Sequence, residues 1–314
     1  MHNKFEAILN EVGKVIIGKR DVIQKTLMSI LSNGHVLLDD MPGVGKTTMA
    51  VAISRAMGLQ YRRIQFTPDV LPSDITGFSI YNKQTGGFEY MPGVAMDANI
   101  LLGDEINRTS SKTQSALLEA MEEGQVTVDG TSHQLKTPFI VIATQNNIGT
   151  AGTQLLPYAQ LDRFLVRLSI GYPDYDSQVE LIRDRQKENP INQIQQVVTR
   201  EDVLRMQHEV TEVLVKDSVI SYITKLTMAT RDHAMVDMGV SPRGALHVSR
   251  MAKAGAYVDG RDYVIPDDVM RVFSDVCSHR IILSQAAKMK QITTDSILTN
   301  VLKDIKVPDK RQQG

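Results

Sequence analysis

The sequence lacks the features that mark secreted, membrane-spanning and zinc-binding proteins. Its 314 residues include one cysteine, Cys277, so the chain cannot form an internal disulfide, which fits a reducing compartment. It contains no run of eighteen apolar residues, and the opening residues M-H-N-K-F-E-A do not form an apolar signal segment. The seven histidines have no spacing typical of zinc ligands. We therefore expect a cytoplasmic protein that does not span a membrane.

An excess of one charge is also missing. The chain has 35 lysines and arginines against 36 aspartates and glutamates, which gives a net charge of −1. Proteins that bind nucleic acid usually carry a strongly basic domain, so the composition does not favour that class. Apolar residues make up 42% of the chain, as in an ordinary globular protein, and the length is enough for roughly two domains.

A strand followed by a glycine-rich loop occupies residues 36–48, V-L-L-D-D-M-P-G-V-G-K-T-T. Backbone N–H groups of such a loop can surround a phosphate chain, and its glycines allow a close approach. Lys46 is expected to reach the β- and γ-phosphates, and the Thr47 hydroxyl to bind Mg²⁺. Asp40 stands where the strict pattern has glycine, and its charge is unfavourable beside phosphates.

Residues 100–105, I-L-L-G-D-E, read as a buried strand that ends in two carboxylates. Asp104 is expected to hold the Mg²⁺ shell, and Glu105 to polarise the attacking water. A phosphate-binding loop alone indicates nucleotide binding. The loop together with this Asp-Glu strand end predicts nucleotide hydrolysis.

Three further residues have two interpretations each. Asn146 follows a predicted strand and could bind both the attacking water and the γ-phosphate, but an asparagine in Gln145-Asn146-Asn147 is also typical of a turn. Arg163 and Arg243 could each meet phosphate charge that develops in the transition state. A solvated surface arginine is the alternative for both, and the local pattern does not decide between them.

Apolar strands alternate with helices in the first part of the chain. We predict strands at 35–39, 61–66, 100–104, 139–144 and 166–170, and helices at 4–33 with a break near 15–18, 46–57 and 111–123. This alternation is typical of a mainly parallel sheet covered on both faces. Ser111, with Gln114 three residues later, has the spacing of a capping box, and Asp129-Gly130 predicts a hairpin turn.

Strand signals stop after Pro173. Helices are predicted at 175–187, 200–212, 217–231, 242–258, 266–278 and 294–303. Ser241-Pro242 is a clear helix start, with serine as N-cap and proline at the first helical position. An α/β domain is therefore followed by a helical domain, with the joint near 173–190.

A series of motifs in this order resembles the MoxR-type AAA+ ATPases. These ATPases belong to the helix-2-insert group, which also contains magnesium-chelatase subunits and replicative helicases. The motifs are M-P-G-V-G-K-T-T (41–48), I-Q-F-T-P-D-V-L-P-S-D-I-T-G (64–77), L-L-G-D-E-I-N-R (101–108), Q-S-A-L-L-E-A-M-E-E-G-Q-V (114–126), I-A-T-Q-N (142–146), L-D-R-F (161–164) and G-V-S-P-R (239–243). The resemblance covers nearly the whole chain and is densest from 36 to 173.

The resemblance implies an α/β fold. This fold consists of a P-loop AAA+ core, with a mainly parallel five-stranded sheet flanked by helices, followed by an all-α lid domain. The implied boundaries are a core at 1–173, a linker helix at 174–189 and a lid at 190–314. Within the core, the helix-2 insert is expected at about 76–95 and the β-hairpin before sensor 1 at about 124–137.

The resemblance also implies a role for each candidate residue. The nucleotide-binding set consists of Ile16, Ile17 and Gly18, where the family packs adenine, and the Walker A residues Gly43, Val44, Gly45, Lys46, Thr47 and Thr48. Thr47 and Asp104 are the implied metal ligands. The catalytic set is Glu105 of Walker B, Asn146 as sensor 1, Arg163 as the finger acting on a neighbouring subunit, and Arg243 as sensor 2 reaching ATP in its own subunit. Asn147 departs from the family, which has proline there.

The implied function is Mg²⁺-dependent ATP hydrolysis at the subunit interfaces of a homo-oligomeric, hexameric ring. Hydrolysis would be coupled to chaperone-like remodelling of a partner protein, such as one with a von Willebrand factor A domain. One alternative is a nucleic-acid motor, although the hairpin tip offers only His133 and Lys136 as cations. The other alternative is an ATP-controlled binding module with little turnover, which Asp40 keeps open.

Overall fold

The computed structural model describes residues 2–146, 156–184, 186 and 190–308. The first part contains the helices α1 (His2–Gly13), α2 (Arg20–Leu31), α3 (Lys46–Ala56), α4 (Pro72–Thr76), α5 (Ser111–Glu123) and α6 (Tyr158–Leu161). Its strands are β1 (Val36–Asp39), β2 (Tyr61–Gln65), β3 (Gly77–Asn82), β4 (Gly87–Pro92), β5 (Ile100–Asp104), β6 (Gln125–Val128), β7 (Thr131–Gln134), β8 (Ile140–Gln145) and β9 (Val166–Leu168).

The second part is mainly helical. Its helices are α7 (Tyr175–Asp184), α8 (Arg200–Glu212), α9 (Asp217–Arg231), α10 (Pro242–Val258), α11 (Pro266–Cys277), α12 (Gln285–Met289) and α13 (Thr294–Asp304). The sequence analysis predicted no strand here, but β10 (Val236–Met238) and β11 (Ile282–Leu283) form a short antiparallel pair. Strands of three and two residues are too short to show an alternating pattern, so sequence periodicity misses them.

A parallel five-stranded sheet organises the first part, in the order β2-β5-β8-β1-β9. Strands β5 and β8 are buried along their whole length, which explains why both sequences are almost continuously apolar. Because all five strands run in the same direction, their carboxyl ends lie at one edge of the sheet. The segments that follow β1, β5 and β8 therefore meet at this edge, where α/β sheets commonly bind ligands.

Two hairpins project from this layer. Strands β6 and β7 pair around Asp129 and Gly130, whose φ angles of 49° and 77° fit the tight turn that the sequence predicted. Strands β3 and β4 form a second hairpin inside the region expected to be the helix-2 insert. Its apolar side chains Phe78, Ile80 and Phe88 are exposed.

The helix starts follow ordinary capping chemistry, with one correction. The Ser241 side chain accepts a hydrogen bond from Gly244 N, and Pro242 occupies the first turn of α10, as predicted. Helix α5 is capped by Ser110, whose hydroxyl accepts from Thr113 N, whereas the sequence pattern suggested Ser111. Ser111 is instead the first helical residue.

One apolar core runs through both parts of the chain, from Phe5 in α1 to Val301 in α13. A second cluster fills the space between the sheet, α5 and the hairpin β6–β7. The larger apolar core includes residues on both sides of positions 173 and 189, so the packing does not mark a division there. The domain boundaries at these positions remain a prediction. In the part of the chain that the structure describes, none of the helices has both the length and the apolar character for a membrane crossing.

Candidate functional site

The phosphate loop lies between β1 and α3, at the carboxyl edge of the sheet. Gly43 and Gly45 have φ angles of 85° and 101°, in the left-handed region that favours glycine. Helix α3 begins at Lys46, so the unpaired N–H groups of its first turn face the loop and can receive an anion. The loop opens into a cavity of about 350 Å³, which is lined by Pro42, Gly43, Gly45, Lys46, Thr47, Thr48, Arg63, Gln65, Asp104, Glu105, Thr144 and Asn146.

Lys46 is buried and held by two neutral oxygens. Its ammonium donates to the Asp40 carbonyl and to Asn146 Oδ1, both at 2.7 Å. Burial lowers the pKa of Lys46, while the nearby carboxylates act in the opposite direction. Since both partners are uncharged oxygens, a phosphate oxygen can replace either of them with a stronger, charge-assisted bond.

Asp104 and Thr47 lie together and offer side-chain oxygens, the kind of ligand that Mg²⁺ prefers. Thr47 Oγ1 lies 3.4 Å from Asp104 Oδ2, and Asp104 Oδ1 accepts from Thr144 Oγ1 at 2.7 Å. The described residues contain no cluster of three or more acidic, histidine or cysteine ligands. Mg²⁺ is commonly bound by one or two carboxylates together with substrate phosphates, and binding of Mg²⁺ by Asp104 and Thr47 stays a prediction.

Glu105 is fixed by three donors. Its carboxylate accepts from Asn146 Nδ2 at 2.6 Å, Arg108 Nη1 at 2.7 Å and Gln65 Nε2 at 3.2 Å. The Glu105 backbone has a φ of 57°, an unusual value for a residue with a side chain, and its N–H donates to Thr144 Oγ1. Residues in such conformations concentrate at functional sites, and the structure brings Asn146 and Glu105 together as the sequence analysis expected.

Four residues at this site carried no sequence signal that we recognised. Arg63 donates to Asp104 Oδ2 from Nη2 at 2.7 Å, while Gln65, Arg108 and Thr144 contact Glu105. Two of them come from β2, which lies beside β5 in the sheet. Only the pairing of β2 with β5 places Arg63 and Gln65 beside Asp104 and Glu105, at the carboxyl end of β5.

The Asp40 side chain points away from the phosphate cavity. Its Oδ2 accepts from the backbone N–H groups of Ile170 and Gly171 and from Ser169 Oγ, and its Oδ1 accepts from Met41 N. The charge that seemed unfavourable beside phosphates is therefore stabilised by hydrogen bonds from the segment after β9, and it opposes the lowering of the Lys46 pKa by burial. Only the carbonyl of Asp40 faces Lys46.

Of the residues expected to contact adenine, Ile16, Ile17 and Gly18, the first lies beside the phosphate loop. Ile16 is buried, and its Cδ1 would lie 3.8 Å from a Cβ placed on Gly45. Gly18 has a φ of 71°, and a Cβ there would come within 2.1 Å of Ser177 Oγ in α7. This position next to the loop suits an adenine ring, and that role stays a prediction. Val44 packs against the apolar core, whereas Thr48 lines the cavity.

Arg163 and Arg243 lie together in a different cleft. Arg163 Nε is 3.0 Å from Glu122 Oε2, and Arg243 pairs with Glu122 Oε1. The cleft has a volume of about 300 Å³ and also includes His35, His247 and Arg250. We refer to it as the arginine cleft. The residues described around the phosphate-loop cavity include neither Arg163 nor Arg243.

The placement of Arg243 corrects one implication of the resemblance. Arg243 was expected to reach the ATP of its own subunit, but the structure does not bring it to the phosphate loop. The start of α10 is held on the segment before β9, because Ser241 Oγ donates to the Asp162 carboxylate at 3.0 Å. This fixes Arg243 beside Arg163. Asn147, the other noted departure, lies outside the described residues.

The chain matches two families of known sequences. Residues 35–166 match the ATPase family associated with various cellular activities (AAA), and residues 228–301 match the AAA lid domain. The first match covers both hairpins and all strands of the sheet except β9, of which it includes only Val166. The second covers α10, α11, α12 and most of α13, together with the strands β10 and β11.

Individual relatives align over nearly the full length. An uncharacterized protein of Bacillus subtilis, YeaC, is 47% identical over 99% of this chain and 97% of its own. The chaperone MoxR1 of Mycobacterium tuberculosis is 38% identical over 96% of this chain and 82% of its own. The crystal structure of a candidate ATPase from Cytophaga hutchinsonii superimposes with a TM-score of 0.91 at 39% identity, covering 98% of this chain and 96% of that one.

Proposed function

The chain belongs to the MoxR family of AAA+ ATPases, and from this we propose that it hydrolyses ATP with Mg²⁺ at the subunit interfaces of a homo-oligomeric ring. The observation that carries the proposal is the separation of the catalytic groups. Lys46, Asp104 and Glu105 line the phosphate-loop cavity, whereas Arg163 and Arg243 lie in the arginine cleft. In a ring, the arginine cleft of one subunit faces the phosphate loop of the next.

Within one subunit, the chain's own residues bind ATP and orient water. The N–H groups of the phosphate loop and Lys46 hold the β- and γ-phosphates. Thr47 and Asp104 would hold Mg²⁺, which would supply positive charge to these phosphates. Glu105 accepts a proton from the attacking water, and Asn146 is placed to orient that water because its side chain contacts both Lys46 and Glu105.

The neighbouring subunit supplies positive charge to the transition state. Arg163 and Arg243 are held in one orientation by a single carboxylate, Glu122, on the surface of the cleft. An arginine donated in trans is worth about 10³–10⁵ in rate. ATP in the next subunit would compete with Glu122 for both side chains, so hydrolysis would depend on assembly. The hexameric count rests on the family resemblance.

The proposed outcome of the cycle is chaperone-like remodelling of a partner protein in the cytoplasm. Support comes from the relative named chaperone MoxR1, and the family resemblance extends it to partners with a von Willebrand factor A domain. The cations near the hairpin β6–β7 are already engaged, since Lys136 pairs with Asp97 and His133 stacks on Tyr90. This favours a protein partner over nucleic acid.

The first experiment is to measure ATP turnover per subunit against protein concentration with Mg²⁺ present. We expect the rate to rise with concentration for the natural protein, since each site needs a neighbour. The variant Arg163→Ala should stay lower by about 10³-fold at every concentration. A rate that is independent of concentration, or an Arg163→Ala variant as active as the natural protein, would contradict hydrolysis at interfaces.

The competing hypothesis is that the protein is an ATP-controlled binding module with little turnover. Its main support was the charge of Asp40, and that carboxylate points to the segment after β9 instead of the cavity. A turnover near zero at all concentrations, together with tight ATP binding, would favour this alternative.

A further inference from the structure

Arg280 is a buried arginine outside the nucleotide site. It ends a short 3-10 turn (Ser278–Arg280) that follows α11, and only 1% of its side chain is exposed. From the sequence, the basic pair His279-Arg280 at this helix end is expected to interact with the helix dipole or to bond the terminal carbonyls. Its Nη1 does bond Val276 O of α11, but most of its donors go elsewhere. A buried guanidinium must have its donors satisfied, so these other partners are informative.

The remaining donors of Arg280 bind the backbone on both sides of Arg163. Nε donates to Asp162 Oδ1 at 2.8 Å, and Nη2 donates to the Asp162 carbonyl at 3.0 Å. The Phe164 carbonyl lies 2.5 Å from Nη2, so the two N–H groups of Nη2 are shared among this carbonyl, the Asp162 carbonyl and His247 Nδ1. Nη1 lies 3.4 Å from the Leu165 carbonyl. One side chain thus fixes the backbone immediately before and after the proposed arginine finger.

The same residues also fix the start of α10, which carries Arg243. Asp162 accepts from Ser241 Oγ, and Ser241 is the N-cap of α10. Arg280 packs against the first turn of that helix, since a Cβ on Gly244 would lie 2.8 Å from Arg280 Cδ. One turn further along α10, His247 Nδ1 accepts from Arg280 Nη2 at 2.5 Å.

His247 has to be neutral to accept this hydrogen bond. Burial lowers the pKa of His247 to about 2, and the positive charge of Arg280 acts in the same direction. The imidazole therefore stays an acceptor across the physiological pH range. This makes the contact between Arg280 and α10 independent of pH in that range.

We propose that Arg280 and Asp162 form a buried clamp that positions Arg163 and Arg243 as one unit toward the nucleotide of the neighbouring subunit. This inference rests on the proposed hydrolysis at subunit interfaces. Arg280 touches neither the phosphates nor the reacting water, so it is a positioning residue. A misplacement of about 1 Å can cost about 10²-fold in rate, which is the size of effect that loss of the clamp should produce.

Two variants test the clamp from its two ends. Arg280→Lys keeps the buried charge but removes the planar fork that serves several acceptors at once. Asp162→Asn keeps the shape and one acceptor oxygen for Ser241 but removes the negative charge opposite Arg280. For each we expect ATP turnover to fall about 10²-fold at saturating protein. The affinity of the isolated subunit for ATP, measured with a fluorescent ATP analogue, should not change.

The matched control is Arg261→Lys. Arg261 is also a lid arginine that grips an aspartate with two nitrogens, at 2.8 and 2.7 Å from Asp268, but it does not contact the segment that carries Arg163. This variant should keep the natural turnover. If Arg261→Lys loses as much activity as Arg280→Lys, a loss of lid stability explains both results, and the inference that Arg280 positions Arg163 is overturned.

A mixing experiment separates positioning from loss of structure. A subunit with Arg280→Lys has an intact phosphate loop, and a subunit with Glu105→Gln has an intact arginine cleft. If the clamp serves the neighbour, mixing the two weakly active variants should restore activity above the sum of the parts. The mixture of Arg163→Ala with Glu105→Gln is the reference, because it tests whether two neighbouring subunits together form one active site.

The outcomes distinguish the two proposals. Recovery in both mixtures supports the clamp. Recovery with Arg163→Ala but not with Arg280→Lys means that Arg280 acts on its own subunit or on folding, which overturns the clamp and leaves the ring intact. No recovery in either mixture refutes hydrolysis at interfaces, and the clamp inference falls with it. Full activity of Arg280→Lys and Asp162→Asn on their own would also overturn the clamp.

Discussion

Asp40 divides its polar groups between two neighbours. Its carbonyl accepts from Lys46 at the phosphate cavity, while its carboxylate binds the backbone N–H groups of Ile170 and Gly171 after β9. At the scale of a residue, the direction of one side chain therefore decides whether a charge hinders phosphate binding or supports the loop that binds it. In this chain the charge joins the phosphate loop to the segment that leads out of the sheet.

This contact predicts that Asp40 contributes to stability. Asp40→Ala should lower the free energy of unfolding by about 2–6 kcal/mol, because the N–H groups of Ile170 and Gly171 lose their acceptor at about 1–3 kcal/mol each. ATP affinity should not increase, since the removed charge does not line the cavity. Denaturant unfolding and ATP titration measure the two effects. Asp237→Ala, which removes an exposed aspartate of β10, is the control and should leave stability unchanged.

Helix α5 connects the two functional regions at the scale of an element. Near its start, Gln114 Nε2 donates to the carbonyls of Ile106 and Thr109, which follow Glu105 in the chain. Near its end, Glu122 holds Arg163 and Arg243. Thirteen residues at about 1.5 Å each make this helix about 20 Å long. Helix α5 therefore links the phosphate-loop cavity to the two arginines that we propose act on the next subunit.

The cap of α5 provides a test with an internal control. Ser110→Ala should destabilise the protein by about 1 kcal/mol, because Thr113 N loses its acceptor at the start of the helix. Ser111→Ala should have almost no effect, since the first helical residue tolerates alanine well. Thermal unfolding of the two variants beside the natural protein measures the difference. Equal losses, or a larger loss for Ser111→Ala, would mean that the helix starts one residue later.

At the scale of the whole molecule, one buried histidine links separate elements of the first part of the chain. His35, just before β1, accepts from Val141 N of β8 through Nδ1, and its Nε2 contacts the Met121 carbonyl of α5, each at 3.0 Å. Burial lowers the pKa of His35 to about 4, with a smaller contribution in the same direction from the charge of Arg250 in the lid. A proton on Nδ1 would face the Val141 N–H and break the contact, so protonation of His35 destabilises the folded protein.

This burial predicts a loss of stability in mild acid. The His35 pKa is about 4 in the folded protein and about 6.5 in the unfolded chain, so only the unfolded chain takes up a proton between these values. Stability should therefore fall as the pH drops from about 6.5 to 4, by up to about 1.4 kcal/mol per pH unit for this residue. His247, with a pKa of about 2, acts in the same direction.

The measurement is the thermal midpoint at pH 7 and pH 5 at constant ionic strength. We expect a lower midpoint at pH 5 for the natural protein. His35→Gln offers one donor and one acceptor but does not titrate, so it should show a smaller difference between the two pH values. A midpoint that is equal or higher at pH 5 would refute this account of His35.

The sequence alone determined the parts that depend on near neighbours along the chain. The apolar strand, the glycines and Lys46-Thr47 follow one another within thirteen residues, 36–48, and Asp104-Glu105 end a single strand. Strand and helix periodicities are equally local, so the five strands, most helix bounds and the turn at Asp129-Gly130 were predictable. The order of these motifs was also enough to indicate the family and its ATPase activity.

Only the tertiary structure decided which distant residues meet. Thr144 reaches Glu105 from 39 positions away, Arg243 reaches Glu122 from 121, and Asp40 reaches Ile170 from 130. Such contacts are set by strand order and helix packing, which no local pattern encodes. For this reason the sequence left Asp40 as a doubtful charge and Arg280 as a helix-end residue. In the folded protein, the Asp40 carboxylate binds backbone N–H groups, and the Arg280 side chain binds the residues on both sides of the proposed arginine finger.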